Sequence, residues 1–532
     1  MTTKVSLTPY DEVPYPSLSY NQSHPDRLAT VATLLGMSPA PVTQCRVLEI
    51  GCASGGNLIP MAYSLPESEF VGIDYAATQI AEGQEAVQAL ELKNITLKHF
   101  NILDVLPDFG QFDYIIAHGI YSWVPPIVQD KLLAICRQNL APNGVAYVSY
   151  NTYPGWYMMG MMRDMMLYHT RQTGLQKRAV EARAFIDFLA QAVPADSSGY
   201  GSFIHGYLDL LTGNESGHPR ADSALLHDEL EEVNDPIYFY QFIERAANHG
   251  LQYLGEAEFR SMLPDNFPPQ VTEALRKLVK SLVDMEQYMD FLKNRSFRQT
   301  LLCRQEVSLS RTMTPEHLSR FSVASQARPE SENPELHTVS VEKFRATDGA
   351  VLSIDHPVSK AAMLYLAEVW PQAVPFKTLL EKARARLGSE GVAEQRIDAQ
   401  VLGANLVKAY SYSGNLMEFH IYMPALMLEV SERPIASPVA NFQAQSNPVV
   451  TNLRHERVSL DEFDRFLLIH LDGSHTQNDL LEALLAGPVA AGVLTLKQTE
   501  PASDDPEQIK SLLAQEVQRK LTWLARAALL VG

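Results

Sequence analysis

The sequence predicts an α/β chain organised around a doubly wound, mostly parallel sheet, followed by helical and winged-helix-like parts. Three observations carry this. The run Val47-Leu48-Glu49-Ile50 is apolar enough to be a buried strand, and it stops at a glycine-rich turn, Gly51-Cys52-Ala53-Ser54-Gly55-Gly56-Asn57. A strand ending on such a turn brings bare backbone N–H groups close to a ligand, because glycine lacks a Cβ. A second strand, Phe70-Val71-Gly72-Ile73, ends on Asp74, placed to accept hydrogen bonds from both hydroxyls of a ribose. Strand and helix patterns then alternate from 45 to 150, which predicts a parallel sheet with helices on both faces. Strand, glycine turn, helix, strand, acid is the nucleoside-binding half of such a sheet.

The elements follow in order. Residues 1–40 hold a Tyr/Pro-rich lead through Tyr20 and a helix over Pro25–Leu35, and read as a lid. A domain over 41–157 has strands at 46–50, 70–73, 95–100, 112–117 and 144–150, and helices near 57–64, 77–91 and 127–139. Residues 158–310 read as an all-helical middle domain, with helices at Met158–Tyr168, 176–192, Pro236–Asn248, Glu256–Met262 and Pro269–Asn294, and a loop with one helix over Pro194–Asp222. Residues 311–345 are polar and carry Thr314-Pro315, Arg328-Pro329 and Asn333-Pro334, the pattern of a linker. Residues 346–532 read as a winged-helix-like α+β domain. Its first unit has helices at Pro357–Trp370 and Pro375–Leu387 with a wing from Ala409–Tyr412 and Met417–Tyr422; its second has helices at Asp461–Leu471, Thr476–Leu485 and Pro506–Leu524.

Bulk properties narrow the partners. A chain of 532 residues is too long for one core. The net charge of −19 disfavours a nucleic-acid partner, which needs Lys and Arg for its phosphates, and neither helix pair carries a basic stripe. That charge suits a lysine-rich protein segment, although it is also ordinary for an acidic cytosolic protein. The four cysteines form no CxxC pair or zinc spacing, so a reducing compartment and no metal site are expected. No signal peptide opens the chain and no apolar run approaches the ~20 residues of a membrane helix. A cytoplasmic protein without membrane insertion is the expectation.

The turn departs from G-x-G-x-x-G and is preceded by Glu49. A carboxylate there would repel a dinucleotide's phosphates, but it can hold the amino group of S-adenosylmethionine. Asn101-Ile102 closes the third strand, where a polar side chain and an apolar face can grip adenine. Phe112–His118 is a fourth strand whose end faces the ligand crevice. The expected cofactor residues are Glu49, Gly51, Cys52, Ala53, Gly55, Asn57, Asp74, Tyr75, Asn101, Ile102 and His118.

Several stretches bear a wider resemblance. They are Ser23-His24-Pro25-Asp26-Arg27-Leu28, the Glu49–Asn57 turn, Ala117-His118-Gly119-Ile120-Tyr121-Ser122-Trp123-Val124-Pro125, Ser149-Tyr150-Asn151-Thr152-Tyr153-Pro154-Gly155-Trp156, and His227-Asp228-Glu229-Leu230-Glu231-Glu232-Val233-Asn234-Asp235-Pro236. Over about residues 10–300 the chain resembles class I S-adenosylmethionine-dependent methyltransferases with a methyltransferase regulatory domain, a group that includes bacterial lysine methyltransferases of outer-membrane proteins. The resemblance implies a protein lysine N-methyltransferase. The alternative is a small-molecule O- or N-methyltransferase whose extra domains serve as lid and homodimer contact.

Catalytic candidates are placed by the strand ends: His118, Tyr121 and Trp123 after the fourth, Asn151, Tyr153 and Trp156 after the fifth. Tyr15, Tyr20 and His24 join them from the lead. Tyr and Trp can hold an ammonium by cation–π contact, and His118 can relay its proton. Each also has a plainer reading: His118 as a backbone-bonding residue, Trp123 as a hydrophobic plug, the lead tyrosines as lid packing. His227–Pro236 reads more simply as a helix end and cap.

Overall fold

The computed structural model describes residues 9–196, 198–213, 221–311, 315–388, 392–489 and 506–532. Its centre is a seven-stranded sheet made of β1 (Arg46–Ile50), β2 (Glu69–Asp74), β3 (Ile95–His99), β4 (Phe112–Ala117), β5 (Leu140–Asn151), β6 (Leu251–Glu256) and β7 (Phe297–Arg304). The spatial order is β3-β2-β1-β4-β5-β7-β6. The first five strands run parallel, and β7 is antiparallel to both β5 and β6. Strand order reverses between β1 and β4, which opens a crevice beyond their carboxyl ends.

The parallel strands are covered on both faces, which is why their sequences read as continuous apolar runs. Val47, Tyr114 and Ile116 pack into the core on one face, and Leu48, Ile50, Ile115 and Ala117 into that on the other. The α/β class and the sheet expected from the sequence are therefore present.

The middle segment is not all-helical. Leu251–Glu256 and Phe297–Arg304 are strands that extend the central sheet past β5, with Ala146 opposite Leu302 and Asn151 opposite Phe297. Arg298, which lies on β7, is 1% exposed and is hydrogen-bonded to Glu256 (2.6 Å), Glu286 (3.0 Å) and Asp290 (2.8 Å). A charged cluster inside a sheet face hides the strand's apolar pattern. The long helix expected over Pro269–Asn294 is broken at Ser281, whose hydroxyl accepts the Asp284 N–H at 3.0 Å and caps a second helix, Leu282–Lys293. Helices Trp156–Thr170, Leu175–Ala192 and Gly199–Thr212 do form a helical body of their own around Met162, Met166, Ile186, Ile204 and Leu211. The remainder of the expected 194–222 loop, residues 214–220, lies outside the described residues.

The stretch read as a linker is structured. Ser322–Ala324 is the central strand of a small sheet, between Val374–Pro375 and Glu418–His420. Arg328–Pro329 and Glu342–Arg345 pair in another. Thr314 lies outside the described residues. The first wing is also corrected: Ala409–Tyr412 ends the helix Val392–Tyr412, because Ala409 and Tyr410 are buried against neighbouring elements and packing overrides β propensity. The last unit has helices Glu462–His470, Gln477–Leu484 and Pro506–Arg526 and a two-stranded wing, Val449–Thr451 with Arg457–Ser459. Among the described residues no helix is long and apolar enough to cross a membrane.

Candidate active site

A cavity of about 750 Å³ lies at the carboxyl ends of β1, β2, β4 and β5, within the size range of small-ligand sites. The glycine turn forms its floor. Gly51 has φ +71°, and a Cβ there would come within 2.1 Å of Ile120 Cδ1. Ala53 also takes a left-handed backbone, φ +49°, and its N–H donates to Asp74 Oδ2 at 2.8 Å. The other Asp74 oxygen accepts the Ala76 N–H at 2.8 Å. Two backbone donors thus fix the carboxylate at the cavity wall, against the upward pull of burial on its pKa. Tyr75, Asn101 and Ile102 continue the wall. Asn101 Oδ1 accepts the Leu103 N–H at 2.9 Å, so its carbonyl caps a turn.

Glu49 is the most informative group. It is 3% exposed, its Oε1 accepts from Asn57 Nδ2 at 2.7 Å, and among the described residues its buried Oε2 has no partner. Desolvation pushes its carboxyl up to about 8. An isolated buried carboxyl of this kind is expensive unless a cation meets it. The amino group of S-adenosylmethionine fits that oxygen, and the Asp74 carboxylate fits its ribose hydroxyls. Gly55 is not in the wall among the described residues: its N–H closes the turn onto Cys52 O at 2.8 Å.

The lead is a strap over this floor. Gln79 Nε2 donates to Tyr15 O at 3.0 Å, the Gly56 N–H to Ser17 Oγ at 2.8 Å, and the Tyr20 N–H to Asn57 Oδ1 at 2.9 Å. A Cβ on Gly56 would lie 2.3 Å from Ser17 O, so the close crossing requires glycine there. The Tyr20 ring lies on His118 with centroids 3.7 Å apart. His24 is instead the N-cap of Pro25–Leu34.

The rest of the cavity lining is largely aromatic and acidic. It includes Trp123, Asn151, Trp156, Phe297, His227, Asp228 and Glu229. Trp123 and Trp156 meet edge to face, 6.0 Å and 80°. Asn151 is fixed by its N–H to Ser122 Oγ at 2.9 Å and its Nδ2 to Asn234 Oδ1 at 3.1 Å. His227-Asp228-Glu229 sit at the end of the helix Asp222–Asp228 and line the cavity, whereas the next helix is capped by Tyr238 and begins at Phe239, not at the expected Pro236. Ser17 and Tyr10 were not foreseen either; Tyr10 lines the cavity and stacks on His227 at 4.2 Å.

Three catalytic candidates change role. Tyr121 is fully buried in the core, edge-on to Phe242 at 5.1 Å, with its hydroxyl accepting from Arg245 Nη1 at 3.2 Å. Tyr153 is outside the wall among the described residues and stacks on Tyr157 at 4.1 Å, on an outer aromatic shelf. His118 does line the cavity, but burial, and secondarily Arg457, pushes its pKa down to about 3. The imidazole, bonded to Tyr147 OH at 2.8 Å and packed against the Tyr20 ring, anchors the strap.

The sheet order, the glycine turn, the buried acid before it and the acid that ends the next strand define a class I S-adenosylmethionine-dependent methyltransferase. Comparison with known proteins agrees along the chain. Residues 48–146 match the family "Methyltransferase domain", 221–304 the "Predicted methyltransferase regulatory domain", and 432–529 the "PKMT, C-terminal winged helix domain". RP789 of Rickettsia prowazekii, described as uncharacterized, is 36% identical over 519 residues, covering 96% of this chain and 91% of that protein. The solved structure of PKMT2 from Rickettsia typhi, determined also in complex with AdoHcy, superposes with a TM-score of 0.86 at 29% identity, over 98% of this chain and 100% of that one. The chain belongs to this PKMT family of methyltransferases.

When bound, S-adenosylmethionine supplies an electrophilic methyl group on a sulfonium. Glu49 and Asp74 are the residues that would hold its two ends, and the lead strap and the aromatic side chains Trp123 and Trp156 enclose the same cavity.

Proposed function

We propose that the protein is a protein lysine N-methyltransferase. The observation that carries this is that Asp228 and Glu229 line the same cavity as Trp123 and Trp156. Carboxylates draw an ammonium in, and indole faces hold it by cation–π contact. A lysine amine has a reference pKa near ~10.4, so a proton must leave before attack. In this reading one of these carboxylates takes that proton. The Nε lone pair then forms the N–C bond as the C–S bond breaks, and the bonding pair stays on sulfur.

Two further features support a polypeptide acceptor. Tyr157, beside Trp156, is 58% exposed and belongs to a shelf with Tyr153 and Tyr238, which gives an extended chain a surface to lie on. The similarity to PKMT2 also extends over nearly the whole chain. The four cysteines are buried and free, in keeping with a reducing compartment.

The test is transfer from methyl-labelled S-adenosylmethionine to lysate polypeptides, before and after blocking their lysines by acetylation, with hydrolysis and amino-acid analysis. Label recovered as Nε-methyl-lysine, and lost on acetylation, supports the proposal. Label found only in small molecules, or on residues other than lysine, overturns it.

A further inference from the structure

The C-terminal part touches the cofactor site through one hairpin. The turn between Val449–Thr451 and Arg457–Ser459 is organised by Asn452, whose Oδ1 accepts the Arg454 and Glu456 N–H groups at 2.9 and 2.8 Å. At its tip His455 is 4% exposed and has φ +62°. A histidine holds that left-handed backbone only where its surroundings fix it. The His455 Nε2 lies 2.8 Å from Asn57 Oδ1. An amide oxygen only accepts, so Nε2 carries the proton. The same hairpin pins the strap, with Thr451 Oγ1 donating to Ser19 Oγ at 3.2 Å.

Asn57 Oδ1 also accepts the Tyr20 N–H at 2.9 Å. With both donors on Oδ1, the amide faces one way, and Nδ2 is turned to Ser23 Oγ at 3.0 Å and Glu49 Oε1 at 2.7 Å. A reversed amide would set its NH2 against the Tyr20 N–H and its oxygen against the Glu49 carboxyl. Ser23, Glu49, Asn57 and His455 are all buried, so water does not substitute for a lost partner. The chain of contacts therefore runs from the wing to the acid whose other oxygen is orphaned in the cavity.

We propose that His455 is a positioning residue for S-adenosylmethionine, acting through Asn57 on Glu49, so that the winged-helix part is a component of the cofactor site. This rests on the methyltransferase class and not on the identity of the acceptor.

The test is calorimetric binding of S-adenosylmethionine and of 5′-methylthioadenosine, which lacks the amino-acid end, to the full chain and its variants. His455→Asn suits the left-handed backbone but is too short to reach Asn57; His455→Gln restores a donor. The expected result is a roughly tenfold weaker S-adenosylmethionine affinity for His455→Asn, recovery of most of it in His455→Gln, and little change for 5′-methylthioadenosine. In a double-mutant cycle, Asn57→Ala with His455→Asn should bind no more weakly than Asn57→Ala alone. Unchanged S-adenosylmethionine affinity, equal losses for both ligands, or additive losses in the cycle would each overturn the proposal. Should His455→Asn fail to fold, the Gln variant decides: S-adenosylmethionine affinity lowered no more than that for 5′-methylthioadenosine supports the proposal, and a larger selective loss despite the restored donor overturns it.

Discussion

Glu49 shares one oxygen with Asn57 at 2.7 Å and holds the other, buried, without a partner among the described residues. Its carboxyl is pushed from 4.5 up to about 8, chiefly by desolvation. A carboxyl raised in this way favours the folded chain below about pH 4.5, and that contribution is lost as pH rises through about 8. The cofactor's ammonium draws the ionised form. Binding at about pH 7 should therefore release close to one proton. Calorimetry in two buffers of different ionisation enthalpy reads this directly. In Glu49→Gln the release should vanish and affinity fall; an unchanged proton count would place the titration elsewhere.

Asp74 both holds the Ala53 N–H and lines the cavity, where it is proposed to bind the ribose. Asp74→Ala should weaken cofactor binding about tenfold to hundredfold, from the loss of charge-assisted hydrogen bonds. Asp74→Asn should lose nearly as much, because an NH2 would replace one of its two acceptors. Affinity measured by fluorescence or calorimetry checks both variants, and wild-type affinity in either would remove Asp74 from the ribose site.

Asp228→Asn and Glu229→Gln separate chemistry from cofactor binding. If these carboxylates receive the acceptor's proton, the pair should lower kcat by roughly a hundredfold. The dissociation constant for S-adenosylmethionine should move by no more than about threefold, within the scatter of a neighbouring contact. Parallel losses in both quantities would assign them to shaping the cavity.

Arg298 offers a stability test remote from the chemistry. It is the hub for Glu256, Glu286 and Asp290, and its guanidinium stacks on Phe239 at 3.8 Å. Arg298→Met strands buried carboxylates and should cost about 3–5 kcal/mol in denaturant unfolding. Arg298→Lys should recover little, because a single ammonium cannot replace the planar fork. A loss below about 1 kcal/mol for Arg298→Met would mean that the cluster adapts by protonation.

The parallel strands β1 to β5 were legible because burial on both faces leaves an uninterrupted apolar run. β7 was not, since Arg298 occupies an inward position that sequence patterning assigns to solvent. Glu49, Asp74 and Asn101 could be placed because parallel strands present their ends to one crevice. The residues after β4 were harder. Tyr121 and Trp123 belong to one 3-10 turn, yet Tyr121 points into the core and Trp123 into the cavity. His227-Asp228-Glu229 read as a helix end, and only the tertiary fold shows that this end lines the cavity. The Ala409–Tyr412 wing failed for a related reason, because buried contacts chose helix where the aromatic residues favoured strand.

The pairing of β5 with β7 bears on how the chain is made. β5 ends at Asn151, and its outer neighbour begins at Phe297. During synthesis the ribosome must add the whole intervening stretch, its helices and β6, before that edge can close. Until then β5 presents an open row of N–H and C=O groups, a template for wrong pairing. A fragment cut near 157 would stay in that condition, so the smallest unit that folds cleanly should extend at least through Arg304. Non-local closure of this kind also predicts slow folding relative to the local helical bodies.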